Sequence, residues 1–336
     1  MPNHHIRLDI PSLVKFFVFP LLLVLCIWIV QWFWLIGLRK YRTLDLGTFS
    51  KVVSGALNVD ILLHGSSRAQ HHFDARVISR LTSKSTYNLG LDGTAIDLQA
   101  ALFSTYLRHN RKPEYLVLSL DIFTLDKAFD ENIYHPGQYV AYLDQPEIFY
   151  ALKQRCAEWS LYKFCPFVGI CRFPSPLTPG NEQLRYEATR GLFKRELPET
   201  LVNGFSPVHQ KWTSEFNEYK KQHPNGIAYK IRPQNTATLC SILTQCQQLN
   251  IQCIFVYSPE YSESQILTIN RNEIFNYYRK LATEFSIPFW DYSDTDMSRN
   301  KENFYNSQHM NAEGAVRFSE DVATRLLTIS RRKPQN

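Results

Sequence analysis

At 336 residues, 44% hydrophobic and 14% aromatic, the chain is long enough to bury a full core, as one large domain or two modest ones. Its 37 Lys and Arg against 31 Asp and Glu leave a net charge of +6. No segment interleaves basic with aromatic residues as a stacking groove would, so nucleic acid is not an expected partner, and the small positive excess suits anionic surfaces such as membranes and acidic glycans.

The first element in chain order is apolar from 16 to 38, broken only by Pro20, Gln31 and Gly37. That length spans a bilayer as a helix at about 1.5 Å per residue. Trp28, Trp32 and Trp34 crowd its second half, and Arg39-Lys40-Tyr41-Arg42 closes it, as at a membrane interface. No small-residue cleavage site follows, so residues 1–40 read as a retained single-pass signal anchor. Arg7 and Lys15 before the segment against Arg39, Lys40 and Arg42 after it tilt the positive-inside count slightly toward a cytoplasmic C-terminal part, a margin that leaves the orientation open.

Residues 41–57 read as a polar helix or linker. A strand is expected over 59–63, a helix over 73–81, a short strand over 85–89, a helix capped by Thr94 and reaching 109, and a strand over 115–120. Strand, helix, strand, helix, strand in this span is the pattern of a parallel sheet wound by right-handed crossovers. From about 130 to 235 the rhythm fails: the stretch is rich in Tyr, Phe, Trp and Pro, with turn signals at Phe173-Pro-Ser-Pro176 and Pro179-Gly180-Asn181. It reads as a partly helical insertion folding over the sheet edge, a separate domain being the alternative. Alternation resumes with a helix over 236–249, a strand over 251–257, a helix over 266–285, a strand over 287–290 and a closing helix over 313–329. The expected fold is a three-layer α/β/α, flavodoxin-like parallel sheet with cores at 58–125 and 236–330.

Cys26 falls in the apolar segment, and the other cysteines form two groups, Cys156, Cys165, Cys171 and Cys240, Cys246, Cys253. The set is compatible with disulfides, Cys165 and Cys171 closing a short loop, and equally with reduced, buried thiols. There is no CxxC pair, and His64, His71 and His72 have no acidic or cysteine partner at ligand spacing, so no metal is expected.

Four candidates for chemistry, Ser67, Gly90, Asp121 and His309, each fall at a strand end or before a helix, positions that meet on one edge of a parallel sheet. Gly65-Ser66-Ser67 after the first strand can be a nucleophile turn, or only a loop and helix cap. A serine needs a base, and an imidazole titrating near ~6.5 supplies one. Backbone N–H groups at Ser67 and Gly90 can face a developing oxyanion. Asn311 is placed to cap the last helix. Arg68 is read either as a grip on an anionic substrate group or as a packing or surface residue, while Asp92 and Asp97 read as a turn residue and a helix start.

With these residues in view, the chain resembles the SGNH, or GDSL-like, hydrolase superfamily. Gly65-Ser66-Ser67 matches the Gly-Asp-Ser block with Ser67 as nucleophile. Asn88-Leu-Gly-Leu-Asp-Gly93 matches the Asn-x-Gly-x-x-Gly block with Gly90 as oxyanion donor, and Asn306-Ser-Gln-His309 matches the Asp-x-x-His block. The Gly-Ser-Ser turn and the anchor look most like membrane-tethered cell-envelope members, such as the D-alanyl transfer protein of teichoic acid synthesis and polysaccharide O-acetyl transfer proteins. The resemblance implies a serine esterase or O-acyltransferase, without cofactor, acting outside the cytoplasm on an acyl ester of an envelope glycan, with an acyl donor and a membrane-bound acyltransferase as possible partners. Two departures stand out. Ser119-Leu-Asp121 replaces the family's Gly-x-Asn-Asp, so an ionised Asp121 must point away from an oxyanion or be protonated. Asn306 replaces the triad acid, able to orient His309 but not to balance its charge, with Asp291 and Asp294 as nearby substitutes. A catalytically weak relative that binds a glycan or a partner protein is the competing expectation.

Overall fold

The computed structural model describes residues 10–41, 44–126, 133–177, 182–194 and 201–331. Arg7, Arg42 and the Pro179-Gly180-Asn181 turn lie outside them.

The apolar segment is one helix, α1 (Ile10–Arg39), and its part Phe16–Arg39 is long and apolar enough to cross a membrane. Of the expected polar helix or linker, the helix forms as α2 (Leu44–Val53), and it is packed rather than polar, because Leu46, Phe49 and Val52 recur at three-residue spacing and bury one face. Alternation then runs β1 (Ile61–His64), α3 (Ser67–His72), α4 (Ala75–Thr82), β2 (Thr86–Asn88), α5 (Ile96–His109) and β3 (Tyr115–Ser119). The helix expected over 73–81 is α4, and an unexpected short helix, α3, precedes it and starts immediately at Ser67. Thr94 does not cap α5: its hydroxyl donates to Leu91 O, and Ala95 holds the cap position.

The insertion supplies α6 (Gly137–Val140), α7 (Pro146–Arg155), α8 (Trp159–Phe164), α9 (Pro166–Arg172), α10 (Leu184–Phe193) and α11 (Glu215–Gln222). Helix α7 lies on α5, locked by a buried ion pair in which Arg155 donates to both carboxylate oxygens of Asp97 at 2.7 and 2.5 Å. Asp97 is therefore an inter-helix clamp as well as a helix-start residue. The last elements are α12 (Pro233–Gln248), β4 (Gln252–Tyr257), α13 (Ser262–Gln265), α14 (Arg271–Glu284), β5 (Phe289–Asp291), α15 (Asp296–Arg299) and α16 (Ala312–Arg331), with Asn311 capping the last helix as expected: its Oδ1 accepts from Gly314 N at 2.9 Å.

The five strands pair in parallel in the order β2-β1-β3-β4-β5, with Ile61 opposite both Thr86 and Tyr115, Tyr115 opposite Gln252, and Phe255 opposite Phe289. This is the flavodoxin-like order, whose chain reversal falls between β1 and β3. Strand side chains alternate between two cores. Leu62, Leu116, Leu118 and Phe255 point to the layer of α5 and α12, while Ile61, Leu63, Val117, Ile254 and Val256 point to that of α4 and α16. Each such leucine or isoleucine contributes about 1.5–3 kcal/mol on burial, which is why the strands read as unbroken apolar runs. The described cysteines are unpaired, Cys165 and Cys171 included.

Candidate active site

The β1 strand delivers its chain to the carboxyl edge of the sheet and turns at Gly65, whose φ of +150° suits glycine; a Cβ there would meet Ser119 Cβ and O at 2.9 Å. Ser66 is the N-cap of α3, and its buried hydroxyl donates to Asp121 Oδ2 at 2.5 Å while accepting from Arg68 N at 3.3 Å. Ser67, at the first helical position, is half-buried, and its hydroxyl lies 2.9 Å from His309 Nε2. The turn therefore sorts its two serines, one as a structural cap and one facing an imidazole.

His309 is brought across 242 residues of sequence by the loop before α16. An antiparallel bridge pairs Phe304 with Met310, and Tyr305 N donates to His309 O at 3.1 Å. Asn306 Oδ1 accepts from Gln308 N at 3.0 Å, His309 N at 2.9 Å and His309 Nδ1 at 3.1 Å. With two backbone donors already on Oδ1, that atom must face the ring, so Nδ1 carries the hydrogen and the Nε2 lone pair is presented to Ser67. Burial, followed by the neighbouring His71, pushes the conjugate acid of His309 down to about 3, against the pull of Asp92. His309 is thus neutral at ordinary pH, with the tautomer of a general base.

Neither suggested substitute for the triad acid reaches it. Asp291 accepts from Ser293 N at 3.0 Å and pairs with Arg279, and Asp294 pairs with Arg299 on the surface. The only residue shown on Nδ1 among the described residues is Asn306.

Three further expectations are corrected. The Gly90 N–H is engaged by Asn88 Oδ1 at 2.9 Å and so is not turned to an oxyanion. Gly90 is needed for close approach instead, since a Cβ would lie 2.5 Å from Gln70 N. Asn88, fully buried, donates through Nδ2 to Ala69 O at 2.7 Å and Phe73 O at 2.8 Å, so it anchors the carbonyls of α3 rather than a substrate. Arg68 is 2% exposed and turned inward: its guanidinium lies 4.5 Å from the Tyr257 ring centre, 3.7 Å from Asp121 Oδ1 and 3.8 Å from Glu260 Oε2, and donates to Ser258 O. Such a group cannot grip a substrate. Asp121 points toward Ser66 and Arg68, and the guanidinium 3.7 Å away offsets the charge of its carboxylate. Ser67 is the first residue of α3, where the backbone N–H has no intrahelical carbonyl to bond.

The sequence reading missed a second layer around His309. His71, one turn after Ser67 on α3, sets its ring 5.8 Å from that of His309, at a right angle. Its Nδ1 lies 2.9 Å from Ser206 O and its Nε2 3.0 Å from Asp92 Oδ1. Burial works to raise the Asp92 carboxyl, but the neighbouring His71 brings it below the usual range. Tyr305 stacks on His309 with centres 5.6 Å apart. His72 is a strut between α3 and the histidine loop: burial holds it neutral, it accepts from Met310 N at 3.0 Å, and its Nδ1 lies 2.8 Å from Ser258 Oγ. The four-residue spacing of Ser67 and His71 was the available signal.

No protein-family model matches the chain, and no curated protein matches it significantly. Among solved structures, an acetyl xylan esterase, Est2A, from the rumen bacterium Butyrivibrio proteoclasticus is similar over 80% of this chain and 63% of its own, at 11% identity and a TM-score of 0.33. This chain thus spans less than two thirds of that protein.

Proposed function

We propose that the protein is a membrane-anchored serine esterase or O-acyltransferase of SGNH type, acting on an acyl ester of a cell-envelope glycan. The observation that carries the chemistry is the Ser67 Oγ to His309 Nε2 approach of 2.9 Å, with the tautomer set by Asn306. In the proposed reaction Ser67 Oγ attacks the ester carbonyl and His309 Nε2 takes its proton. The tetrahedral oxyanion rests on the Ser67 amide, and His309 returns the proton to the leaving alkoxide. Water or a sugar hydroxyl then resolves the acyl-enzyme by the same steps in reverse order. A fluorophosphonate probe is expected to label the protein and its Ser66→Ala variant but not Ser67→Ala. Labelling lost in Ser66→Ala alone would refute the assignment.

A second reading, a glycan- or partner-binding module of weak activity, is favoured by the uncharged Asn306 and the engaged Gly90 amide. Absence of labelling in the parent would select it. Anchoring by α1 with the domain outside the cytoplasm completes the proposal. A periplasm-active reporter fused after Asn336 is expected to be active, and activity of a cytoplasm-only reporter there would overturn the orientation together with the envelope substrate.

A further inference from the structure

The insertion has a feature that the site chemistry leaves unused: its helices hold the far end of α1. Residues 16–30 of α1 expose almost every apolar side chain, whereas Gln31, Gly37 and Leu38 are buried. The covering is specific. The Trp34 ring stacks on Phe167 of α9 at 5.4 Å, and its Nε1 donates to Thr189 Oγ1 of α10 at 3.1 Å. Gln31 Oε1 accepts from Phe167 N at 3.4 Å. Gly37 and Gly191 let α1 and α10 cross backbone to backbone, since a Cβ on Gly191 would lie 2.1 Å from Gly37 O. Beyond the crossing, Tyr41 donates to Glu187 O at 3.1 Å and Arg39 to Ala141 O at 2.8 Å.

If α1 enters a bilayer at Phe16, the ~20 residues that fill a hydrocarbon core of about 30 Å end near Ile36, so the grip falls where acyl chains give way to headgroups. The faces of α10 can be oriented against that level. Thr189 touches Trp34, toward the apolar end, while Glu187, across the helix, bonds Tyr41, away from it. Tyr186 and Phe193 are spaced three before and four after Thr189 and share its face. Phe193 is 81% exposed, and Phe164, three residues before the deep contact Phe167, is 80% exposed. Large aromatics this exposed, adjoining an apolar helix, mark a contact surface. Lys163, Arg185 and Lys194 flank them, complementary to anionic headgroups.

Resting on the reading of α1 as a membrane span, we propose that α8, α9 and α10 form a collar that lies in the interface of an anionic phospholipid bilayer, with Phe164 and Phe193 dipping to the acyl boundary. The collar fixes the tilt of the domain as well as its tether, which a single helix on a linker would leave free. The occupant is lipid rather than protein because the exposed aromatics continue the apolar surface of α1 at the level where it leaves the hydrocarbon.

The test reconstitutes the full chain in phosphatidylcholine–phosphatidylglycerol vesicles without other proteins, with an environment-sensitive fluorescent amino acid placed singly at Trp28, Phe164, Phe193 or Ile266. Ile266 is 82% exposed and lies outside the collar. Lipids brominated on their acyl chains are expected to quench positions 28, 164 and 193 at least severalfold more than 266. Quenching at 28 with 164 and 193 equal to 266 overturns the collar, leaves the span standing and points to a protein partner on that face. Quenching at 164 and 193 without 28 supports an interfacial collar and sinks the span. No preferential quenching at any position overturns both.

Discussion

Asn306→Asp changes one atom type at the point where a positive charge would develop. In the parent, Asn306 Oδ1 lies 3.1 Å from His309 Nδ1 and supplies no charge, while burial and His71 hold the conjugate acid of His309 at about 3. A full negative charge at ~4 Å in an effective dielectric of about 20 is worth roughly 4 kcal/mol to an imidazolium. Part of that is spent on placing the carboxylate in the loop, although the N–H groups of Gln308 and His309 already point at the oxygen and favour its ionised form. In a serine protease the converse exchange of Asp for Asn costs about 10⁴ in turnover, largely because the tautomer becomes wrong; here the tautomer is already right, so that figure is a ceiling. A net gain of about 1.4–3 kcal/mol is expected, or about ten- to a hundredfold in kcat/KM for a small acetyl ester. The sign for pH follows: a carboxylate favours the protonated ring, so the acidic limb of the rate profile moves up from about pH 3 by roughly one unit or more. The assay is p-nitrophenyl acetate hydrolysis from pH 3 to 9 by both forms, with folding checked by circular dichroism. A folded, active pair with identical rates and identical acidic limbs would remove Asn306 from the chemistry.

Two further outcomes concern the scaffold. Arg68→Met takes the guanidinium from Asp121 in a buried site while Glu260 keeps Arg271, and a loss of about 3 kcal/mol in urea unfolding is expected, with Arg68→Lys failing to restore it because an ammonium cannot span Ser258 O, Asp121 and the Tyr257 ring together; a loss within about 0.5 kcal/mol would show the network to be idle. His64 is fully buried with Nδ1 3.2 Å from Leu89 O and Nε2 2.9 Å from Gln99 O, contacts that favour protonation, yet burial dominates and holds its conjugate acid down to about 4. The unfolded chain therefore takes up a proton between about pH 6.5 and 4 that the folded chain does not, so stability present at neutral pH is lost as pH falls through that window, by roughly 3 kcal/mol from this ring. A urea midpoint unchanged from pH 7 to 4 would contradict it.

The sheet, the spanning-length helix and the meeting of Ser67 with His309 were all legible from residue order, because each rests on a local pattern. Apolar runs bounded by turns make buried strands, a parallel sheet gathers strand ends on one edge, and a glycine before two serines makes a sharp turn. Where the reading failed, the failures are of one kind. Whether Arg68 reaches solvent, whether the Gly90 amide is available, where Asp121 points, and that His71 and Asp92 flank the imidazole depend on the partner each polar atom meets. Those partners lie far along the chain, as Ser258 does at 190 residues from Arg68, and which atom of the partner is met has no signature in local spacing. Hydrophobic periodicity reports which face of an element is buried. The direction of a hydrogen bond is settled only when a second element is packed against it, and that is why the tertiary structure alone decided that the Arg68 guanidinium turns inward and that the Gly90 amide is engaged.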